Sequence, residues 1–374
     1  MLLSRVAESL YWSARYLERA EDTARVVLQH TNLIVDLPPS AGVTWEALLA
    51  VTGNVETFEK TGHDVHEHSI VSYLVDDRDN PACLLLAVTA ARDNLRGARE
   101  VIPRAAWQAV NDLYHFVANR HEEGVNRAGR ARFCDQLISE SQRVVGALSG
   151  TMSRDAAYDM MRLGRHIERA DMTTRVLDVT AGALMRTGAS TDVRPDGDRD
   201  GDGDRDGDGD RDGHLDRDRD GHRDGSGDRH DDADREGGDS TDYGDVRWAN
   251  VLRSLSALQM FRRATRGPVE GAAVVRFCLT DPHFPRSVEF CLAEVEHCLG
   301  RIEGSTSLTG ATDEARRELA AVHYASLDGE ALHQLADTLQ LEIGQLHDRL
   351  AAAYFADAPE HEADTPGERP TAQS

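Results

Sequence analysis

Arg15-Tyr-Leu-Glu-Arg-Ala-Glu-Asp-Thr-Ala-Arg-Val26 returns 150 residues later as Arg165-His-Ile-Glu-Arg-Ala-Asp-Met-Thr-Thr-Arg-Val176. Seven of the twelve positions are identical, and Leu17/Ile167 and Glu21/Asp171 are conservative exchanges. So dense a match predicts a duplicated chain, and an internal repeat outranks local readings when a fold is judged. Most of the matched residues are charged. Packing alone does not demand charge, so function is to be sought in this stretch.

The match extends outward. Trp45, Leu48, Leu49 and Phe58 correspond to Trp248, Val251, Leu252 and Phe261 at an offset of 203. Tyr73-Leu-Val-Asp-Asp77 through Pro81 corresponds to Phe277-Cys-Leu-Thr-Asp281 through Pro285 at an offset of 204. One insertion accounts for the growing offset: the 54 residues Asp192 to Asp245 hold 22 acids, 9 arginines and almost nothing apolar. Such a segment cannot bury enough apolar surface to order itself, so disorder is expected. The predicted organisation is a first helical repeat over 1–150 and a second over 151–355. The second is interrupted by the Asp/Gly/Arg-rich insert at 192–245, and a polar disordered tail follows over 356–374. Each repeat, without the insert, has the size of an ordinary domain.

The formal net charge is −24, with a single lysine, Lys60, among 42 basic residues. Excess acid with lysine nearly absent points to a halophilic source, where salt screens charge and solvation must be kept. So acidic a surface argues against nucleic acid as a partner. The five cysteines are odd in number and lack CxxC spacing, so they read as small apolar core residues in a reducing compartment. Neither a signal peptide nor a run of membrane-spanning length is visible, which makes a cytoplasmic protein with no membrane partner the expectation.

Helical periodicity dominates, and strand signals are weak. The pattern predicts helices near 2–33, 44–59, 65–76, 81–101, 104–121 and 127–149. In the second half it predicts 153–187, 246–264, 268–279, 285–303, 310–325 and 328–355. Pro81 and Pro285 sit where a helix should begin, with Asn80 as an N-cap. The expected fold class is all-α: an internally duplicated helical bundle of about twelve helices with a disordered acidic insert. The two long helices would form the central pair of an antiparallel bundle.

Within those helices, positions 10, 14, 17, 21 and 28 share one face. The residues are Leu10, Ala14, Leu17, Glu21 and Leu28, matched by Met160, Gly164, Ile167, Asp171 and Asp178. An acid interrupts the apolar stripe at the same place in both. Arg25 and Arg175 follow one turn on, in the favourable acid-before-base order. Glu18 and Glu168 flank the stripe, with Arg15 and Arg165 three residues earlier. If the long helices pack about a pseudo-twofold, these charges meet near the interior, where they must be paired. Arg15, Glu18, Arg19, Glu21 and Arg25, with Arg165, Glu168, Arg169, Asp171 and Arg175, are therefore the candidates. They form either an ion-pair network that docks the halves or a site for a ligand carboxylate or amine.

The paired Glu18-Arg19 and Glu168-Arg169 within long helices resemble the alpha-E domain family of helical proteins with a tandem ER motif. So do the opening Met1-Leu-Leu-Ser-Arg-Val-Ala-Glu-Ser-Leu-Tyr-Trp-Ser-Ala-Arg15, Asn80-Pro81, Ala91-Arg-Asp-Asn-Leu-Arg96 and Phe284-Pro-Arg-Ser287. The resemblance spans nearly everything except the insert and tail. It implies a component of a predicted peptide synthesis or modification system. Partners would be a circularly permuted ATP-grasp protein and a transglutaminase-like protein. It assigns no reaction and transfers no catalytic residue.

Two readings of other classes stand beside it. A ferritin-like metal-binding bundle uses Glu-x-x-His on facing helices, a spacing met by Glu294/His297 and Glu330/His333. Chance explains both about as well, and neither has a clear counterpart in the first half. A purely structural interaction module also fits, with Trp12, Trp107 or Tyr158 as interface aromatics if they are exposed. His63, His66 and His68 read as a solvated loop. The insert repeats the start of a calcium loop, as in Asp196-x-Asp198-x-Asp200-Gly201, without the bidentate glutamate or flanking helices of an EF-hand. No phosphate loop or nucleophile elbow occurs, so the expectation is a non-catalytic protein with no cofactor.

Overall fold

The apolar stripes Leu10–Ala14–Leu17 and Met160–Gly164–Ile167 are buried on two helices of equal length. These are α1 (Ser4–Asp36) and α8 (Ala156–Gly188), 33 residues each, packed against one another at the centre of the fold. The computed structural model describes residues 3–188, 243–302, 308 and 310–355, which belong to one compact unit. The tail expected over 356–374 lies outside them. So does the expected insert, calcium-like repeats included, apart from residues 243–245 at the start of the next helix.

Between the long helices lie α2 (Glu46–Val51), α3 (Val55–Thr61), α4 (Glu67–Val75), α5 (Leu84–Gly97), α6 (Arg104–Val125) and α7 (Arg127–Thr151). After α8 come α9 (Gly244–Ser254), α10 (Leu258–Thr265), α11 (Gly271–Thr280), α12 (Val288–Leu299), α13 (Asp313–Ala321) and α14 (Gly329–Tyr354). No strand occurs among the described residues. The chain is an all-α protein. α5 and α7 flank α1, and α12 and α14 flank α8. The short helices cross over: α2 packs on α8, and α9 packs on α1.

The central pair runs parallel, which corrects the antiparallel expectation. A β-carbon on Gly164 would collide with the carbonyl oxygen of Tyr11. Further along, Arg15 meets Glu168 and Glu18 meets Arg169. Further still, Arg286 grips Asp22 with its side chain and accepts from Thr173 with its carbonyl. Residue numbers therefore rise together on both helices. A parallel pair sets matched positions at one height, which lets each Glu-Arg pair reach the other. Antiparallel neighbours are supplied by α14, whose His333 bonds Asp178 while His347 bonds Tyr11.

Two expected helices are each broken in two, giving fourteen α-helices rather than about twelve among the described residues. The breaks fall at Gly53 (φ 69°) and Ser256 (φ 54°), 203 residues apart. In both, the next residue's N–H reaches back five positions, Asn54 to Leu49 (2.8 Å) and Ala257 to Leu252 (2.6 Å). A left-handed residue ends a helix in this way. Periodicity continues through such a break, so the sequence pattern hides it. Pro81 and Pro285 also precede their helices by a turn. Ser287 is the N-cap of α12, its hydroxyl accepting from Phe290 N–H at 3.1 Å. Asn80 instead ties the preceding turn, with its amide donating to the Tyr73 carbonyl at 2.9 Å.

The five cysteines are free and buried, as small core residues should be. Burial pushes the thiol of Cys83 up to about 11 and those of Cys134, Cys291 and Cys298 up to about 12. Tyr158 is buried, and Trp12 and Trp107 are partly buried against the core. None of the three is an exposed interface aromatic.

Candidate functional site

Glu18 and Glu168 are each about 2 % exposed and sit at one height where α1 and α8 meet. Their partners are exchanged. Glu168 accepts from Arg15 Nε at 2.7 Å and from Arg19 Nε at 2.5 Å, both on the other helix. Glu18 accepts from Arg169 Nε at 2.6 Å and lies 3.9 Å from Arg165 Nε. Burial alone would raise both carboxyls. For Glu168 the guanidiniums of Arg19 and Arg15 outweigh burial and hold it below the ordinary carboxylate range. For Glu18, Arg169, Arg286 and Arg165 do so, holding it down at about 2.

The exchange is reciprocal but not symmetric. Arg286, 5 % exposed, contacts Glu18 (2.8 Å), Glu21 (3.1 Å) and Asp22. At the matched offset of 204 the first half has Ala82, and opposite Asp22 the second half has Met172. An extra buried acid and an extra buried base thus compensate each other. One guanidinium serves three acids, and Oδ2 of Asp22 has no hydrogen-bond partner among the described residues. Burial, with Glu18 and Glu21 beside it, pushes the Asp22 carboxyl up to about 7 despite Arg286.

The remaining candidates form intrahelical pairs one turn further on. Arg25 bonds Glu21 at 2.5 Å and also the Ser256 hydroxyl. Arg175 bonds Asp171 at 3.1 Å, and its guanidinium occupies the space a β-carbon on Gly53 would need. All ten candidates therefore lie along one α1/α8 seam. Glu18, Glu168 and the four arginines at 15, 19, 165 and 169 interlock across it.

Sequence reasoning missed Arg286, Asp22, Tyr11 and His347. Tyr11 donates to, or accepts from, His347 Nδ1 at 2.8 Å, and the two rings stack at 5.5 Å. Burial raises the Tyr11 phenol to about 12. Arg286 and Asp22 left a readable signal: each is a charge facing an uncharged residue in the other half. His347 left none, because long-range helix pairing is not written in the local pattern.

The metal candidates do not assemble. Glu294 is engaged by Arg162, and His297 is exposed. Glu330 accepts from Gln334, and His333 bonds Asp178 at 2.7 Å. Among the described residues one group brings three potential ligand atoms together, Asp178, His333 and Asp337, and it contains a single one of the four. His66 caps α4 in a reciprocal pair with Ser69, and His63 faces Asp77 at 3.6 Å. No helix among the described residues is long and apolar enough to cross a membrane.

Uncharacterized proteins of Mycobacterium bovis and Mycobacterium tuberculosis are 24% identical to the chain over 204 residues, half of its length. The matched part is 23% of those relatives, so the chain spans under a quarter of their length. No solved structure matches. A family model matches residues 2–200 and 226–355, passing over part of the acidic stretch. That match covers Glu18-Arg19 and Glu168-Arg169, and the chain belongs to the Alpha-E family, described as a predicted alpha-helical domain with a conserved ER motif.

Proposed function

We propose that this protein is a non-catalytic binding or accessory component of a cytoplasmic peptide synthesis or modification system. It would act with a circularly permuted ATP-grasp ligase and a transglutaminase-like protein, and would itself be built from two copies of one helical unit. One observation carries the non-catalytic reading: both ER motifs are enclosed and answer each other. Glu18 and Glu168 are held ionised by arginines of the opposite helix, joined at Glu18 by Arg286. A general acid or base needs a pKa near working pH and access to a substrate; the two ER carboxylates lie below that range, and Asp22, though raised to about 7, is 2 % exposed and enclosed against Arg286. The same pairs suit a clamp that fixes how α1 and α8 sit.

The test is purification of the tagged full chain from its own cells, lysed in high salt, with mass spectrometry of what accompanies it. Co-purification of an ATP-grasp or transglutaminase-like protein supports the reading. Their absence from a lysate that contains both overturns it. The acid excess and the lone lysine support a high-salt cytosol. Thermal melts should then show a lower transition without salt, and an unchanged transition would remove that part of the proposal.

A further inference from the structure

Beside the ER seam, at the α8/α12 end of the second half, a cleft of about 490 Å³ opens to solvent. Arg154, Arg162, Arg165, Arg169 and Arg301 line it. Their carboxylate partners are Asp159, Glu294 and Glu18, and Glu18 is shared with Arg286. Five cations against three anions leave an excess of two positive charges, in a chain whose net charge is −24. Arg154, exposed at the mouth, donates to the Ser149 carbonyl at 2.5 Å, has no carboxylate partner among the described residues and lies 4.0 Å over the Tyr158 ring. Arg165, on the floor, is 8 % exposed and reaches its one acid at 3.9 Å.

His166 supplies an independent sign of a ligand. It is 5 % exposed and lines the same cleft; its Nε2 lies 3.9 Å from Glu294, and its buried Nδ1 has no hydrogen-bond partner among the described residues. Burial, then Arg169, Arg165 and Arg162, depress its pKa well below the ordinary value, so the ring is neutral. A buried polar atom without a partner is uncommon and calls for an explanation.

The first half shows that the fold does not require this chemistry. At the matched offsets, Ser4 stands for Arg154, Ser9 for Asp159, Trp12 for Arg162 and Tyr16 for His166. Ala90 stands for Glu294 and Gly97 for Arg301. The same helix ends therefore pack in one half with aromatic and small residues, and in the other around a charged cleft.

We propose that the second-half cleft binds a doubly charged oxyanion, a phosphate group or a pair of carboxylates, at one site per chain. Arginine forks suit both, because each presents paired N–H donors to two oxygens. Arg154 and Arg301 receive the ligand at the mouth, and Arg162 and Arg165 hold it beside His166. This goes beyond the accessory-component reading and does not rest on it.

Calorimetric titration of the full chain at constant chloride tests the proposal, with inorganic phosphate, succinate and acetate as probes. Phosphate or succinate should bind once per chain and about tenfold more tightly than acetate. Tighter binding of phosphate assigns a phosphate group, and tighter binding of succinate assigns paired carboxylates. Arg154→Gln, a surface change that leaves folding intact, should weaken binding about fivefold. Arg262→Gln on exposed α10 should not. The proposal is overturned by no saturable binding, by two sites per chain, or by Arg154→Gln binding as the parent does.

Discussion

Where α5 ends against α1, a β-carbon on Gly97 would lie 3.8 Å from Ser9 Oγ. Where the chain leaves α12 against α8, Arg301 Nε grips Asp159 at 3.0 Å. The positions match, yet one junction is small and uncharged and the other is an ion pair. Beside the first, Trp12 and Tyr16 stack at 5.5 Å. Beside the second, Arg162 is held by Asp159 and Glu294. Backbone geometry at these helix ends evidently tolerates either chemistry. The charge at the second junction is therefore not something the helix packing demands.

The largest test of that contrast removes one central acid at a time. Glu168→Gln leaves Arg15 and Arg19 without a carboxylate and should destabilise by about 3–5 kcal/mol in chemical denaturation. Glu18→Gln strands Arg165 and Arg169, which face the cleft. Measured against the parent at the same phosphate concentration, added phosphate should narrow the Glu18→Gln loss and leave the Glu168→Gln loss unchanged. Equal recovery in both would erase the distinction between the two ends.

A smaller effect is expected at the helix contact. Gly164→Ala drives a methyl into the Tyr11 carbonyl, which backbone cannot easily yield, and should cost about 3 kcal/mol. Ala14→Gly at the matched position should cost about 1 kcal/mol through helix propensity. Melting temperatures of the two variants check the order, and a reversed order would mean that the close approach is not where the structure has it.

Next comes the pH profile. Glu18, held at about 2 against an ordinary 4.5, contributes stability above pH 4.5 that is lost as pH falls toward 2. Asp22 acts oppositely. Its folded pKa of about 7 exceeds the ordinary 3.8, so its contribution is full below about pH 4 and fades as pH rises to 7. Asp22→Asn mimics the protonated acid and should stabilise the protein at pH 8 by roughly 1–3 kcal/mol, with no gain at pH 4. A gain that is independent of pH would assign the effect to something other than the proton. The smallest change is Arg154→Gln, expected to shift stability by less than about 0.5 kcal/mol, since the side chain is exposed without an acid partner.

Much of this was legible in the residues, and the reasons for the gaps are physical. The stripe through Leu10, Ala14 and Leu17 announced a buried face because burial and helix period are local properties. The acid within each stripe announced an ion pair because a lone buried charge is untenable. Direction was not legible: a repeated helix can pack on its copy either way, and the parallel choice emerges once Gly164 admits the Tyr11 carbonyl. Nor were the breaks at Gly53 and Ser256, where apolar periodicity runs on through a single left-handed residue. The cleft stayed hidden because its arginines come from α8 and the turn before it and from the turn after α12, more than a hundred residues apart in the chain. Arg165 and Arg169 were picked out on repetition, while Arg154, Arg162 and Arg301 lacked a counterpart to draw attention to them.

The exchanged partners of Glu18 and Glu168 have one more consequence. An isolated first half would expose Arg15 and Arg19 without their acid, but it would also carry Glu18 to offer. Two such halves could satisfy each other across a twofold axis with no residue changed in the motif. The seam inside this chain is thus one that two copies of a single half could form between them. Arg286 with Asp22 breaks that equivalence, because a symmetric dimer would have to change both sides at once.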